Sequence, residues 1–486
     1  MKINAKFKDI LFFQDKTNCD LHICLTSSYC DNIYICFRTT IFIFLARTFL
    51  EVISMSDPKV YSKVYLLCDC NNFFVSCEKI FRPDLINRPV AVLSNNDGIV
   101  VSRSYETKAL GIAMGSPVFK IDKEIKKYKI SLFSSNFSLY LDISNRVMTL
   151  LERFCKDLEV YSVDEAFLSF ENISEDEALA IAYKVKHAVA TEVGIPVGIG
   201  IARTKTLAKL SNNYAKSHKE TNGVYSILTN SKRQRLLLDN PIKEIWGIGK
   251  NMEEHLLSEG FSSAYDLANA DATYLGKKYT VQIERTIKEL NNIDCIESMS
   301  EPQNQNQIMW SRSFKDRITS YDDLYEALSN YVAKACEKLR SLNKYAQKIA
   351  ISIRTSYFGN KDKYSNEAIM SLDFPCADTR VFIAAARELL NAIYKDGYEY
   401  MKAGVILFDF KDTREFQSDL FSVNPDKEIL DKSDNLMKTL DNINAIEQDT
   451  VYLGAQNRLV KQARFNDPQH KSPRYTSSFK ELPKVF

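Results

Sequence analysis

An apolar run that ends in a single carboxylate constrains the fold of this chain more than any other feature. The run at residues 64–68 is short and bulky, and Asp69 and two asparagines follow it, so it predicts a buried strand that ends at a site. Asp69 would then lie at the end of the strand, half out of the core. A lone aspartate in this position is commonly a helix cap or a turn residue, so this stretch alone leaves both interpretations open.

A second acidic stretch favours a site. Asp164 and Glu165 lie between two apolar runs, which is typical of a hairpin with acid at its turn. Converging carboxylates repel one another and require cations, and Mg²⁺ binds one or two carboxylates together with substrate phosphates. Two such ions about 4 Å apart support phosphoryl transfer. Adjacent strand residues point to opposite faces, so both acids can face Asp69 only if the backbone turns or bulges there.

Composition narrows the protein class. The chain has 486 residues, which suggests two to four domains, and its 45% hydrophobic and 26% charged content is ordinary for a globular protein. The net charge of +2 means that any nucleic-acid surface must be a local patch. Eleven cysteines without paired metal spacing and only five histidines argue against structural zinc and fit a reduced cytoplasm.

Residues 1–58 differ from the sequence that follows. They hold four cysteines and an apolar patch at residues 41–46, which is far shorter than the about 20 residues of a membrane span. We interpret residues 1–58 as an extension of doubtful status, with the working chain starting at Met55. A membrane-associating segment is the alternative interpretation, although no membrane partner is expected.

Two segments offer groups that could hold a triphosphate. Helical spacing puts Tyr105 and Lys108 on one face, although a solvated helix face explains this fragment as well. A buried strand at 197–202 leads into a helix whose amino end and lysines, including Lys209, favour anions. An amphipathic helix at 139–154 and a capping box at 174–177 add two more helices. The interleaved elements predict an α+β or split-βαβ palm with its helices on one face.

The sequence pattern changes near residue 241, where helical patterns follow the interleaved strands and helices. Gly247, Gly249 and Lys250 lie between helical patterns, and two glycines before a helix let the backbone approach a phosphate. The segment resembles a helix-hairpin-helix, a non-specific binder of the DNA backbone. A polar linker follows at 298–307.

The carboxy-terminal part predicts a second module and a tail. Basic clusters near Arg312 and Arg354 fit a small α/β module that tracks phosphates, although a solvated face explains the charge nearly as well. Past residue 412 the sequence is polar and predicts a loosely ordered tail. Within it, Gln417, Leu420 and Phe421 form a short motif typical of an anchor for a partner's groove, or of a local packing contact.

The ordered set of motifs resembles the Y family of translesion DNA polymerases, and within it the UmuC branch. The resemblance covers about residues 63–480. The motifs that carry it are CDCNNFF (68–74), FRPDL (81–85), LSNNDG (93–98), SSN (134–136), SNRVM (144–148), YSVDEAF (161–167), IARTKTLAK (201–209), WGIG (246–249) and SPRYT (472–476).

The resemblance implies roles for the central residues. Asp69, Asp164 and Glu165 match the family's metal ligands, and the Cys70 carbonyl matches its backbone ligand. The implied cofactor is a pair of Mg²⁺ ions, or Mn²⁺ in their place. Phe74 matches the steric gate, where UmuC relatives carry Tyr; its ring would block the 2′-hydroxyl of a ribonucleotide.

The resemblance also implies substrates and partners. Tyr105, Lys108 and Lys209 match the residues that hold the triphosphate of the incoming dNTP on primer-template DNA. The motif at 417–421 resembles the one that docks on the sliding clamp. A UmuD-like dimer, a recombinase filament and SOS-type induction are implied by kinship alone.

The expected fold is α+β, a multidomain right-hand polymerase with palm, fingers, helical thumb and little finger. The expected function is error-prone, template-directed DNA synthesis across damaged DNA, by two-metal transfer of a dNTP to a primer 3′-hydroxyl. A non-catalytic DNA-bound scaffold and a palm-like nucleotidyl cyclase are the competing classes. The predicted divisions are 1–58 extension, 59–240 palm and fingers (fingers 82–133), 241–300 thumb, 301–308 linker, 309–412 little finger, and 413–486 tail with the clamp-binding motif.

Overall fold

The structure is a computed structural model, and it describes residues 10–14, 21–25, 59–297, 305–357, 362–412, 427–447, 450–456, 468–476 and 478–482. Two short strands of the extension, β1 (Ile10–Gln14) and β2 (Leu21–Leu25), pair antiparallel. No helix in these ranges has the length and apolarity needed to cross a bilayer.

A five-stranded sheet forms the palm, with strand order β10-β9-β3-β8-β7. The central strand β3 pairs antiparallel with both of its neighbours. Its residues are buried from position 64 to position 70, as expected for a strand covered on both faces. The five strands are β3 (Val60–Cys70), β7 (Asp157–Val160), β8 (Glu165–Ser174), β9 (Val197–Ala202) and β10 (Val224–Ser226).

Helices cover both faces of this sheet, so the prediction that they lie on one face is wrong. Alternation along β3 sends Leu66 and Cys68 into one core with helices α1, α4 and α5. Tyr65 and Leu67 point into a second core that contains α6 and the thumb helices. The predicted capping box at Ser174 is present. The helices are α1 (Phe73–Ile80), α4 (Phe137–Leu151), α5 (Glu175–Ala188) and α6 (Lys205–Ser217).

The fingers are a small three-stranded sheet with order β5-β4-β6. Their core is small and includes Ala91, Leu93, Val100, Ile112 and Ile130. The elements are β4 (Val90–Leu93), β5 (Val100–Arg103), α2 (Tyr105–Ala109), α3 (Asp122–Tyr128) and β6 (Ser131–Ser134).

The thumb is helical and shares the second palm core. Leu236 and Leu237 of α7 pack in that core with thumb residues such as Leu256 and Leu275, so the thumb packing begins one helix before residue 241. The helices are α7 (Asn230–Asp239), α8 (Lys250–Ser258), α9 (Ala264–Ala268), α10 (Ala272–Lys278) and α11 (Val281–Leu290).

The little finger is a four-stranded antiparallel sheet with order β11-β14-β12-β13. Two helices share a core with this sheet, and Ile369 of β13 is exposed. Strand β11 begins at residue 307, inside the predicted linker. The elements are β11 (Gln307–Ile318), α12 (Tyr321–Ser341), β12 (Tyr345–Thr355), β13 (Ser365–Cys376), α13 (Thr379–Ile393) and β14 (Tyr400–Lys411).

The tail contains packed structure, which corrects the prediction of a loosely ordered segment. Helix α14 (Lys427–Ile446) docks on the little finger, where Arg340 forms a bidentate ion pair with Asp441 at 2.6 and 2.7 Å. Met437 of the same helix is 1% exposed. Residues 468–476 return to the junction of palm and fingers, where Ser134 N–H donates to the carbonyl of His470 at 2.9 Å.

Candidate active site

Two carboxylates meet at the end of the palm sheet. Asp69 and Glu165 are direct cross-strand partners, so their side chains lie on the same face of the sheet. Burial raises the pKa of Asp69, Lys216 opposes this rise and Glu165 adds to it. Burial also acts to raise the pKa of Glu165, but Lys209, Asp69 and Lys216 together lower it. The pair therefore needs a shared proton or a cation.

The backbone holds Asp164 beside this pair. The Cys70 N–H donates to the carbonyl of Asp164 at 2.8 Å, so the turn residue lies next to the end of β3. The Asp164 carboxylate accepts a hydrogen bond from Ser162 Oγ at 2.6 Å. Across the described ranges, no three His, Cys, Asp or Glu side chains form a group that could hold a metal ion. The role of all three acids as metal ligands stays a prediction.

Glycines in β9 bring helix α6 unusually close to the site. A Cβ atom at Gly200 would lie 2.2 Å from the carbonyl oxygen of Ala208, so only glycine permits this approach. Two side chains of α6 consequently reach Asp69. Lys216 Nζ forms an ion pair with its Oδ1 at 2.5 Å, and Asn212 Nδ2 donates to its Oδ2 at 3.2 Å.

Lys209 lies on the same helix and is surrounded by aromatic rings. Its Nζ donates to Glu165 Oε2 at 2.8 Å and lies 4.1 Å from the Tyr161 ring centroid and 5.2 Å from that of Trp246. Trp246 Nε1 donates to the Tyr161 hydroxyl at 3.2 Å. The thumb therefore contacts the acidic hairpin directly, and Lys209 lies where a cation can neutralise the carboxylates.

Phe74 is held by a cluster of rings. It lies in the first turn of α1 and stacks on Tyr140 with ring centroids 4.5 Å apart and an interplanar angle of 13°. Phe137 meets its edge at 5.9 Å. The ring position is thus set by α4, and the gate role assigned to Phe74 stays a prediction.

Tyr105 and Lys108 occupy one face of α2, as predicted. Lys108 Nζ lies 5.2 Å from the Tyr105 ring centroid. Burial and then the charge of Asp69 raise the pKa of Tyr105. Burial, Arg103 and Lys216 lower the pKa of Lys108, and Asp69 opposes them. Tyr105 and Lys108 of the fingers therefore lie close enough to Asp69 for their charges to interact. Their role in holding a triphosphate stays a prediction.

The predicted helix-hairpin-helix adopts a turn followed by a helix. Gly247 has a φ of 90°, which favours glycine, and Gly249 immediately precedes α8. Lys250 begins that helix, and its side chain is 86% exposed. The geometry leaves this helix start accessible, and its contact with DNA stays a prediction.

The two remaining predicted surfaces differ in what the structure describes. In the little finger, the guanidiniums of Arg312 and Arg354 lie over the rings of Trp310 and Tyr357 at 4.9 and 4.4 Å. The clamp-binding motif at Gln417, Leu420 and Phe421 lies outside the described residues.

The donor chemistry of the site fits a hard divalent cation. Asp69 and Glu165 place carboxylate oxygens on one face of the sheet, and Asp164 and the Cys70 carbonyl belong to the same strand end. Magnesium and manganese prefer such oxygen ligands. The crowding of Asp69 against Glu165 independently calls for positive charge, which Lys216 and Lys209 supply in this structure.

Comparison with known proteins identifies the family. Residues 68–213 match the impB/mucB/samB family, and residues 305–420 match its C-terminal domain. The chain belongs to the impB/mucB/samB family. It is a UmuC-type member of the Y-family DNA polymerases. Residues 434–485 match DUF4113, a domain of unknown function.

Relatives in this family cover most of the chain. Protein UmuC of Salmonella typhimurium is 38% identical over 426 residues, 87% of this chain and 100% of the relative. Protein ImpB of Salmonella typhimurium is 40% identical over 398 residues, which are 81% of this chain and 93% of the relative. Protein MucB of Escherichia coli is 37% identical over 423 residues, which are 86% of this chain and 99% of the relative.

A solved structure confirms the fold of this family member. The Y-family DNA polymerase chimera Dbh-Dpo4(243-245)-Dbh matches with a TM-score of 0.58 at 20% identity, over 71% of this chain and 98% of that chain. The predicted α+β right-hand architecture is therefore confirmed.

Sequence reasoning missed several residues of this environment. Asn212 and Lys216 follow Lys209 at intervals of three and four, a spacing that places all three on one helical face. The glycines of β9 were a second signal, because they permit close helix packing. The Tyr140 contact with Phe74 had no such signal, since it joins two separate helices.

Proposed function

We propose that this chain catalyses template-directed DNA synthesis across damaged bases, by transferring a deoxynucleotide to a primer 3′-hydroxyl with release of pyrophosphate. One observation carries the proposal: Asp69 and Glu165 are cross-strand partners, with Asp164 held beside them by the Cys70 N–H. An oxygen-rich strand end of this kind, next to several lysines, suits nucleotidyl transfer.

Asp69, Asp164, Glu165 and the Cys70 carbonyl would hold two Mg²⁺ ions. When bound, such ions lower the pKa of an attacking hydroxyl and neutralise phosphate charge. Lys216 and Lys209 already pair with the two central acids and would turn to phosphate oxygens once other cations balance those acids.

The cations around the carboxylates suit a bound triphosphate. Lys108 and Tyr105 approach from the fingers, while Lys209 approaches from the palm between two rings. Holding the phosphates from two sides would orient the α-phosphorus toward the primer, and orientation alone supplies much of a rate enhancement. Seven cysteines in the described part of the chain are unpaired, which suits a reduced cytoplasm.

The fingers support tolerance of damaged templates. Their core is small, so the fingers would press on the nascent base pair over a limited area. A loose fit around that pair would reduce the energetic penalty of a distorted template, and with it the fidelity.

Primer extension past an abasic site tests this function. The wild-type chain with Mg²⁺ should extend the primer, and Asp164→Asn should lose extension by at least about 10³-fold while still binding primer-template DNA. Asp157→Asn changes an exposed aspartate of the same hairpin and should extend normally. Extension by Asp164→Asn at the wild-type rate would contradict the proposal.

We also propose that the motif at 417–421 docks on a sliding clamp. Two bulky apolar residues in a polar segment suit a groove on a partner. Replacing Leu420 and Phe421 by Ala should remove clamp-stimulated processivity and leave unstimulated synthesis unchanged. The UmuD-like dimer and the recombinase filament remain proposals of the same kind, and adding them singly to the extension assay would test each.

A further inference from the structure

Residues 470–475 pack at the junction of palm and fingers. His470 N–H donates to Ser134 Oγ at 3.0 Å, and the Ser134 N–H donates to the carbonyl of His470 at 2.9 Å. Tyr475 is 7% exposed and stacks on Phe81 with ring centroids 4.5 Å apart. We call residues 470–475 the C-terminal strap. Paired backbone atoms and a buried ring show that the strap is part of the palm core.

Ser472 is the central polar contact of the strap. Its hydroxyl donates to Glu78 Oε1 at 3.1 Å and accepts from Asn136 Nδ2 at 2.9 Å. Glu78 lies on α1, and Asn136 is the residue that caps the start of α4. One hydroxyl therefore ties two palm helices together at their junction.

These two helices carry the rings of the proposed sugar gate. Phe74 lies one turn before Glu78 on α1, and Tyr140 lies one turn after Asn136 on α4. The Tyr140 hydroxyl donates to the same Glu78 oxygen, at 2.7 Å, while its ring stacks on Phe74. The chain of contacts runs from Ser472 through Glu78 and Tyr140 to Phe74 without a gap.

Glu78 makes this arrangement depend on the strap. Its side chain is fully buried, and a buried carboxyl group is costly unless donors reach it. Its two hydrogen bonds come from Tyr140 and Ser472. Without Ser472, Tyr140 would be the remaining donor, and Asn136 Nδ2 would lose its closest acceptor. Both helices would then be free to shift by the fraction of an ångström that alters a ring contact.

The geometry points to the C-terminal strap as a positioning element of the polymerase site. Through Ser472 and Tyr475 it fixes helices α1 and α4, and thereby the Phe74 ring that selects deoxyribose over ribose. This inference rests on the proposed function, since it assumes that Phe74 is the gate. It also assigns a role to part of the segment that matches the domain of unknown function.

Single-nucleotide insertion by the full-length chain tests the strap. The readout is the ratio of kcat/KM for a dNTP to kcat/KM for the matching rNTP. Ser472→Ala should lower this ratio about fivefold, which corresponds to about 1 kcal/mol of lost discrimination between the two sugars. Tyr475→Leu keeps an apolar side chain, loses the stack, and should lower the ratio in the same direction.

Two matched controls separate positioning from general damage. Arg474→Ala changes an exposed strap residue that pairs with Glu481, and the ratio should stay at the wild-type value. Glu78→Gln keeps an acceptor oxygen for both donors and should keep the ratio, whereas Glu78→Ala should lower it. Loss of stability alone would reduce dNTP and rNTP insertion together and would leave the ratio unchanged.

Phe74→Ala distinguishes failure of the strap from failure of the gate. If Phe74→Ala lowers the ratio and neither Ser472→Ala nor Tyr475→Leu does, the strap inference is overturned and the gate stands. If Phe74→Ala leaves the ratio unchanged, Phe74 is not the gate and the strap inference falls with it. If Ser472→Ala does not fold, Tyr475→Leu and the Glu78 pair give the same decision.

Discussion

Replacing Glu78 by Gln should stabilise the palm at pH 8 and should lose most of this effect at pH 5. Burial is the main cause that raises the pKa of Glu78 from its usual 4.5 to about 7, with the hydrogen bonds from Tyr140 and Ser472 opposing it. Because the pKa is raised in the folded state, the contribution of Glu78 to stability is fully present below about pH 4.5. That contribution disappears as the pH rises through 7.

The size of the effect follows from this rise in pKa. One pKa unit corresponds to about 1.4 kcal/mol, so wild-type Glu78 should cost the folded state roughly 2 to 3 kcal/mol more at pH 8 than at pH 5. Gln has the same shape, accepts both hydrogen bonds and carries no charge. Any cost of its extra amide hydrogens is the same at both pH values, so the difference between the two conditions isolates the carboxyl group.

Native-state hydrogen exchange of peptides from α1 and α4 measures this difference locally. Wild type and Glu78→Gln are compared at the same pH, so the intrinsic exchange rates cancel. Protection in the variant should exceed wild type by roughly thirtyfold or more at pH 8 relative to pH 5. Glu171→Gln changes an exposed glutamate of β8 and should show no pH-dependent difference. An equal difference in protection at both pH values for Glu78→Gln would show that the Glu78 carboxyl group does not make the stability of the palm depend on pH.

Three further perturbations test separate parts of the structure. Gly200→Ala should push α6 away from β9, lower the free energy of unfolding by about 2 kcal/mol and reduce primer extension. Gly98→Ala, whose added methyl group would meet only an asparagine side chain, should change neither quantity. Unfolding and primer-extension assays measure both, and wild-type stability and extension for Gly200→Ala would contradict the close packing of α6 on β9. Lys209→Met should raise the KM for dNTP about tenfold or more because a charge-assisted phosphate contact is lost. An unchanged KM in steady-state insertion would show that Lys209 pairs with Glu165 and does not bind the phosphates. Arg340→Ala should leave Asp441 without its bidentate partner and increase hydrogen exchange in α14, while protection equal to wild type would show that apolar contacts alone hold that helix.

Local patterns predicted the elements that build the site. The apolar run before Asp69 gave the central strand, the flanked Asp-Glu pair gave the hairpin, and the capping box at Ser174 gave the start of α5. Each of these signals arises within a few residues, where period and capping chemistry act directly.

Other features lay beyond local patterns. The apolar run of β3 was compatible with burial on both faces. Because apolar and polar residues do not alternate along this run, it gave no sign of which face each helix would cover. Helix α14 has many charged residues, and the Arg340–Asp441 pair that docks it joins residues distant in sequence. The bond from Ser472 to Glu78 spans 394 positions, and no spacing rule predicts such a contact.

We propose that Asp69, Asp164 and Glu165 of the palm together hold divalent ions beside the incoming nucleotide. Electron paramagnetic resonance can count Mn²⁺ ions bound to the full-length chain with a dideoxy-terminated primer-template and dNTP. We expect two bound ions for wild type and for Asp157→Asn, and fewer than two for Asp164→Asn at the same free Mn²⁺. Two ions bound to a folded Asp164→Asn variant with wild-type affinity would contradict it.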